Sequence, residues 1–116
     1  MKNMYAVKCL YQTKFYTIDN ELIEDIIPSW EERIILIRAS SMEEANSKCE
    51  KYAKEYEGDY INVDNQIFKT RLYSILHVFW TFDTNARTNI EVYSNMFDAT
   101  EEEVEKMLDV EYPVEE

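Results

Sequence analysis

Residues 40–58 read SSMEEANSKCEKYAKEYEG, and this stretch predicts a long amphipathic helix. Ser41 and Glu44 have the spacing of a capping box, in which each residue satisfies a backbone N–H at the start of a helix. Apolar side chains recur at intervals of three and four residues, which places them on one helical face: Met42, Ala45, Cys49, Tyr52, Ala53 and Tyr56. Gly58 is the only glycine of the chain. We assign it to the left-handed position after the helix, because glycine adopts that conformation without a side-chain clash.

The segments around this helix predict a sheet. Five of them have strand-like patterns: residues 5–11, 31–39, 60–63, 66–83 and 89–97. The second is apolar on both faces, which predicts an internal strand. Asp64 and Asn65 both tolerate positive φ and are expected to form a two-residue turn. The fourth segment is too long for a flat strand in a small domain, so we expect a bend or bulge near residues 70–74.

The remaining segments complete the expected fold. Residues 13–27 fit a hairpin extension, a surface loop or a short helical turn. Thr100 and Glu103 form a second capping box, which predicts a short C-terminal helix. The expected fold is α+β: a largely antiparallel four- to five-stranded sheet, with one long helix packed on a face and a short C-terminal helix. Residues 1–99 are expected to form a single α+β domain, and residues 100–116 a short acidic helix and tail.

Composition and charge limit the classes of partner. The chain has 116 residues, of which 46% are hydrophobic and 31% charged, as in a soluble single-domain protein. Its net charge is −12, and residues 101–116 alone contribute −7, because Lys106 is their only base. Such a charge repels phosphates and anionic membranes, so we expect neither nucleic acid nor membrane partners. An acidic chain suits a basic protein partner.

Localisation is expected to be cytoplasmic. The first twelve residues lack the apolar core of a signal peptide, and no run of about 18 apolar residues could span a bilayer. Cys9 and Cys49 are too few for a secreted disulfide scaffold, so both thiols are expected to be reduced.

Three segments carry a family resemblance: WEERIILIRASSMEEANSKCEKYAKEY (residues 30–56), YINV (60–63) and EVYSNMF (91–97). Together they resemble an uncharacterised bacterial family, domain of unknown function 4288, over roughly residues 4–98. The parts at residues 30–38 and 91–94 are the more specific ones, and neither is a catalytic signature. The resemblance implies an α+β fold and carries no assigned activity.

The sequence contains no recognisable catalytic or metal-binding constellation. His77 is the only histidine and is interpreted as a sheet-face side chain within a strand. Cys9 and Cys49 lack metal-ligand or redox spacing, and both are assigned to the core. Four acids have neither calcium-loop spacing nor a glycine, and are assigned to a solvated loop: Asp19, Glu21, Glu24 and Asp25. Two polar pairs fit either a site at one end of the sheet or structural ion pairs: Glu32 with Arg33, and Glu91 with Tyr93. We therefore predict no catalytic residue, metal or cofactor.

The surplus of aromatic residues predicts an interface. One helix covers only one face of a sheet, so apolar side chains on the other face would be exposed, and such patches mark contact surfaces. The expected interface residues are Trp30, Tyr73, Ile75, His77, Phe79 and Tyr93, with the acidic Glu101, Glu102 and Glu103. Either a homodimer or a bound protein partner would cover them.

Two function classes fit these observations. The first is a non-enzymatic acidic protein-binding module, such as an inhibitor or immunity-type protein that masks a basic partner surface. The alternative is a small-ligand-binding protein, with a tyrosine- and tryptophan-lined pocket on the sheet or at a dimer interface.

Overall fold

The computed structural model describes residues 2–81 and 90–111, except the side chains of residues 90–94, 110 and 111. The strands are β1 (Asn3–Tyr16), β2 (Ser29–Ala39), β3 (Gly58–Ile61), β4 (Ile67–Trp80) and β5 (Ile90–Asp98). The helices are α1 (Met42–Glu55) and α2 (Glu101–Glu111). All neighbouring strands pair antiparallel, in the order β3-β4-β1-β2-β5. The predicted α+β fold is confirmed.

The centre of the sheet is β1, which pairs with β2 on one side and β4 on the other. Because β5 pairs with the outer side of β2, residues 31–39 form an internal strand, as their apolar pattern predicted. The connection between β4 and β5 at residues 82–89 and the tail after Glu111 lie outside the described residues.

One face of the sheet, which we call the α1 face, is covered by α1. The buried cluster between them comprises Tyr5, Val7, Cys9 and Tyr11 of β1, Ile35, Ile37 and Ala39 of β2, and Ala45, Cys49 and Ala53 of α1. The three helix residues of the cluster are small, which lets the helix axis lie close to the large β1 and β2 side chains. The prediction of the apolar face is therefore correct for the middle of the helix. Met42 and Tyr56, at its two ends, are 52% and 40% exposed.

The helix begins as predicted and ends differently. Ser41 is the N-cap, and its Oγ accepts a hydrogen bond from the Glu44 N–H at 3.1 Å. The Glu44 carboxylate accepts from Ser40 rather than from Ser41, so the capping box is only half formed. The prediction for Gly58 is wrong, because no glycine has positive φ and the helix ends at Tyr56 in a right-handed conformation.

Gly58 instead opens β3, where it pairs with Thr70. The strand follows the helix so closely that no left-handed residue separates them. A Cβ atom at Gly58 would lie 3.2 Å from the Tyr60 hydroxyl oxygen. The glycine therefore makes room for a tyrosine ring.

The connection between β3 and β4 is longer than predicted. The Asn62 N–H donates to the Gln66 carbonyl at 2.9 Å, so three residues form the loop. Of the two predicted turn residues, Asn65 has positive φ, at 58°, and Asp64 does not. The Asn62 side chain explains the extra residue, because its Oδ1 accepts from the N–H groups of Asp64 and Gln66. The expected two-residue turn is wrong for this reason.

The predicted bend in β4 is confirmed and is accompanied by a second one. The β1–β4 register shifts between Leu10 and Tyr11, and again between Lys8 and Cys9. Tyr73 and Leu76 are the extra residues on β4 at these two points. Of the alternatives for residues 13–27, β1 extends as a strand to Tyr16, and a loop follows it.

The second face of the sheet, the α2 face, is covered in part by α2. Its cluster comprises Leu10, Trp30, Ala99 and Val104, with Tyr73, Leu76, Phe97 and Leu108 packed against them. The predicted second capping box is complete: the Thr100 N–H donates to Glu103 Oε1, and the Glu103 N–H donates to Thr100 Oγ1, both at 3.1 Å. The Trp30 Nε1–H donates to the Ala99 carbonyl at 2.8 Å, which fixes the start of α2 over the sheet.

Candidate functional site

The residues predicted to form an interface do not lie on one surface. Trp30 is only 1% exposed beneath α2, so its predicted exposure is wrong. The physical reason is that the C-terminal helix folds back over the face that was expected to be open. Ile75 packs on the opposite face, against the α1-face cluster.

Three other predicted residues lie on the α2 face. Tyr73 packs edge-on against Trp30, with ring centroids 4.9 Å apart, and is half-buried. His77 and Phe79 are exposed farther along β4, with their ring centroids 4.0 Å apart. Of Tyr93, only the backbone position opposite Ile34 is described. The aromatic interface is thus reduced to His77 and Phe79 among the described side chains.

The three predicted acidic residues begin α2, where each has a local contact. Glu103 caps the helix, and its hydrogen bonds with Thr100 hold the pKa of its carboxyl below the ordinary value. Glu101 Oε1 accepts a hydrogen bond from the Tyr73 hydroxyl at 3.2 Å, and Glu102 Oε1 lies 3.4 Å from Lys106 Nζ. Negative charge at the start of a helix also interacts favourably with its dipole. These acids are therefore part of the reason that α2 forms.

Tyr73 joins α2 to β4 through a second carboxylate. Its hydroxyl also donates to Glu105, one turn after Glu101. The hydrogen bond to Glu105, together with burial and Glu101, raises the pKa of the Tyr73 hydroxyl. The tyrosine therefore remains a neutral donor at physiological pH.

A buried arginine forms a polar centre on the α1 face. Arg33 is 5% exposed, and its Cζ lies 3.6 Å from the centroid of the Tyr56 ring. Its Nη1 donates to the Tyr11 hydroxyl at 3.4 Å, and that hydroxyl donates to the Ala53 carbonyl at 2.8 Å. Burial raises the pKa of Tyr11, and the neighbouring Arg33 charge opposes that rise. The arginine thus connects β2 to the last turn of α1.

Glu32 and Arg33, which fitted either a polar site at one end of the sheet or a structural ion pair, do not share a face of the sheet. The two side chains point to opposite faces, as neighbours on a strand must. Glu32 Oε2 lies 3.5 Å from Lys8 Nζ of β1. The sequence did not indicate Tyr56 as the partner of Arg33, because the two residues are more than twenty positions apart and their contact depends on how α1 ends.

Two small pockets lie beside Tyr56. One of about 230 Å³ is lined by Arg33, Tyr52, Glu55 and Tyr56. The other, of about 170 Å³, is lined by Thr13, Ser29, Trp30, Glu31, Tyr56, Tyr60, Thr70 and Met96. The Tyr56 hydroxyl donates to Glu31 Oε1 at 2.6 Å and so limits the second pocket. Both are below the roughly 300 Å³ that is usual for drug-sized ligands.

The two cysteines meet in the core. Cys9 and Cys49 are both fully buried, as predicted, and their sulfur atoms are 3.4 Å apart. The hydrogen bond with Cys49, reinforced by burial, raises the pKa of Cys9. The sequence did not indicate this contact, because the two cysteines are forty residues apart. The contact results from the position of α1 across β1.

A groove runs between α1 and the outer side of β4. It measures about 410 Å³ and is lined by Asn46, Glu50, Lys54, Glu57, Leu72, Tyr73, Ser74 and Ile75. The Leu72 N–H donates to Glu57 Oε2 at 2.8 Å. Lys54 lies 3.5 Å from Glu50 on the helical wall. No sequence motif marks this groove, because it results from the shortness of β3.

The described residues contain neither a metal-binding cluster nor a membrane-spanning helix. Within residues 2–81 and 90–111, no group of three or more His, Cys, Asp and Glu side chains could hold a metal ion. In the same part of the chain, neither helix is long and apolar enough to cross a membrane.

The comparisons with known proteins give a family and no activity. The family model described as "Domain of unknown function (DUF4288)" matches residues 4–94. The match includes α1 and at least part of every strand, and it ends before α2. The comparisons with curated proteins and with solved structures give no match. Because the matched residues make up most of the 116-residue chain, the protein belongs to the DUF4288 family.

Proposed function

We propose that the protein is a non-enzymatic acidic protein-binding module, which masks a basic surface of its partner as inhibitor or immunity-type proteins do. The observation that carries this proposal is the outer surface of α2. Over residues 101–109 the exposed charged side chains are five acids and one base: Glu101, Glu102, Glu103, Glu105, Asp109 and Lys106.

The anchoring of α2 supports this proposal. Val104 is buried against the sheet, and the Trp30–Ala99 hydrogen bond holds the start of the helix. The acids are therefore presented on a fixed support rather than on a loose tail. Fixed complementary charge raises association rates and makes them sensitive to salt. The same charge disfavours nucleic acids and anionic membranes as partners.

Glu102 and Asp109 allow a test of this surface. Glu102 is 81% exposed, and the pair that it forms with Lys106 is exposed too, so its contribution to folding is small. The variant Glu102→Lys/Asp109→Lys is compared with Glu24→Lys/Asp25→Lys, which changes the net charge equally in the exposed loop before β2.

Capture from host lysate, followed by kinetic measurement on the purified partner, is the experiment. The α2 variant should lose the partner or associate at least several-fold more slowly, and raised salt should reproduce that loss. The loop variant should bind nearly as the unmodified chain does. Equal loss in both variants, a salt-insensitive association rate, or no near-stoichiometric partner would contradict the proposal.

A small-ligand-binding function is the second candidate, and the pocket beside Tyr60 favours it. This pocket, of about 170 Å³, has Trp30, Tyr56 and Tyr60 among its lining residues, and that aromatic lining supports the candidate. Native mass spectrometry of the purified protein should then show a retained ligand that Tyr60→Ala releases. Tyr60 is 58% exposed, so this change spares the core. Detection of the unliganded mass alone would contradict this function.

A further inference from the structure

The outer side of β4 is only partly occupied by β3. The four residues of β3 pair with β4 from Ile67 to Thr70, whereas β4 continues to Trp80. Along residues 71–76, no other described strand lies on this side of β4. An exposed strand edge presents backbone N–H and C=O groups that can pair with another chain.

A side chain already accepts a hydrogen bond from the first backbone N–H of this edge. The Leu72 N–H points away from β1, and it donates to Glu57 Oε2 at 2.8 Å. Glu57 lies between α1 and β3 and is half-buried. Its carboxylate therefore takes the place that the carbonyl of a neighbouring strand would have. An arriving backbone could displace it and accept the same hydrogen bond.

The wall of α1 converts this edge into a groove. Asn46, Glu50 and Lys54 recur at intervals of four along the helix and form one side. Leu72 and Ile75 form an apolar floor and pack against the α1-face cluster. Residues 71–76 span about 20 Å at the usual rise of a strand, which is room for an extended segment of about six residues.

We propose that this groove binds an extended, basic segment of a partner protein, which adds to β4 as a further strand. The inference rests on the proposed function and specifies how its partner is held. Backbone pairing would supply affinity, and pockets for alternate side chains would supply preference. The basic character follows from charge, because the groove lining has two acids, Glu50 and Glu57, against one base, Lys54, and the chain as a whole has a net charge of −12.

A second copy of this chain is the less favoured occupant. Two chains of charge −12 repel each other, and the extra residues Tyr73 and Leu76 interrupt the regular pairing that a symmetric β4–β4 contact needs. A basic segment is attracted rather than repelled by this charge, and it does not have to match one bulged edge to a second bulged edge.

The experiment selects displayed short random peptides on the purified chain and measures an enriched, synthesised, fluorescently labelled peptide by anisotropy. Asn46→Trp fills the groove. Ser47→Trp is the matched control, because the next residue carries the same substitution on the exposed side of α1. Glu57→Gln keeps the acceptor and removes the charge. Circular dichroism and thermal unfolding compare the folding of all three variants.

Enrichment of lysine- or arginine-containing peptides without proline is expected. Asn46→Trp should weaken binding about tenfold or more, which corresponds to about 1.4 kcal/mol, and Ser47→Trp should leave it within twofold or so. Glu57→Gln should weaken binding and reduce its salt dependence. If Asn46→Trp fails to fold, the Glu57→Gln result decides.

Several results would overturn the inference: no enrichment, enrichment of acidic or proline-rich peptides, or equal binding by Asn46→Trp and Ser47→Trp. Concentration-dependent dimerisation that Asn46→Trp abolishes would assign the groove to a second copy instead. A lysate partner that Asn46→Trp retains would refute the groove and leave the proposed function intact. The absence of any lysate partner would count against the proposed function itself.

Discussion

The two faces of the sheet are closed in different ways. On the α1 face, ten buried residues from β1, β2 and α1 form one cluster. On the α2 face, the buried cluster has four residues, and one hydrogen bond joins Trp30 to Ala99 across 69 positions. The first face is held by many contacts between segments that follow closely in the chain. The second depends on a few contacts between distant ones, so we expect it to open more easily.

Truncation of the α1 face should have the largest effect. Ile37 is fully buried in its cluster. We expect Ile37→Ala to lower the free energy of unfolding by about 2–5 kcal/mol, because it removes packed methyl groups and leaves a cavity. Urea denaturation measures this change. Met42→Ala, at a half-exposed position of α1, is the control and should have a far smaller effect. Equal effects would show that the α1 face is not the main core.

Removal of the tryptophan donor should have a smaller and more local effect. Trp30→Phe leaves the Ala99 carbonyl without the indole N–H, which costs about 1–3 kcal/mol where that carbonyl stays buried. Hydrogen exchange should increase in α2 and remain nearly unchanged in α1. Trp80→Phe, at a side chain 48% exposed, is the matched control. Faster exchange throughout both helices would contradict the independence of the two faces.

Acid should weaken the starts of both helices, and this is the smallest of the expected effects. Hydrogen bonds from Ser40 and Lys48 hold the pKa of Glu44 at about 2, below its ordinary 4.5. Because the folded-state pKa is the lower one, this stabilisation is complete above the unfolded-state pKa and is lost as the pH falls through the folded-state value. Glu103 has a depressed pKa too, so its contribution has the same sign.

Denaturation midpoints measured from neutral pH down to about pH 2 should show this loss. Glu44→Gln and Glu103→Gln should each flatten the acid side of the profile. Glu43→Gln is the control, because it is exposed in the same turn of α1. A profile unchanged in both test variants would contradict a role for these carboxylates.

The features that sequence could predict were those with local causes. The position of α1 followed from its apolar spacing and from Ser41, and β2 followed from its run of apolar residues. The burial of Trp30 could not be predicted, because it depends on a helix that begins some seventy residues later and had not been assigned to a face. Gly58 was misread for a related reason, since its role depends on where the Tyr60 ring lies.

The candidate groove could not be predicted from the sequence, for a different reason. It is defined by how far β3 extends along β4, and strand ends are set by pairing rather than by residue type. Leu72, Ser74 and Ile75 have the pattern of an ordinary strand. The Cys9–Cys49 contact likewise depends on the position of α1 over β1.

The family match ends at residue 94, after α1 and most of the sheet and before α2. The matched residues contain the α1-face core, whereas α2, with its acidic surface, lies beyond them. A replacement helix needs apolar side chains at the positions of Val104 and Leu108, a backbone carbonyl near Trp30 and acceptors for the Tyr73 hydroxyl. The charge at the outward-facing positions of α2 can therefore change without any change in the sequence of the sheet and α1.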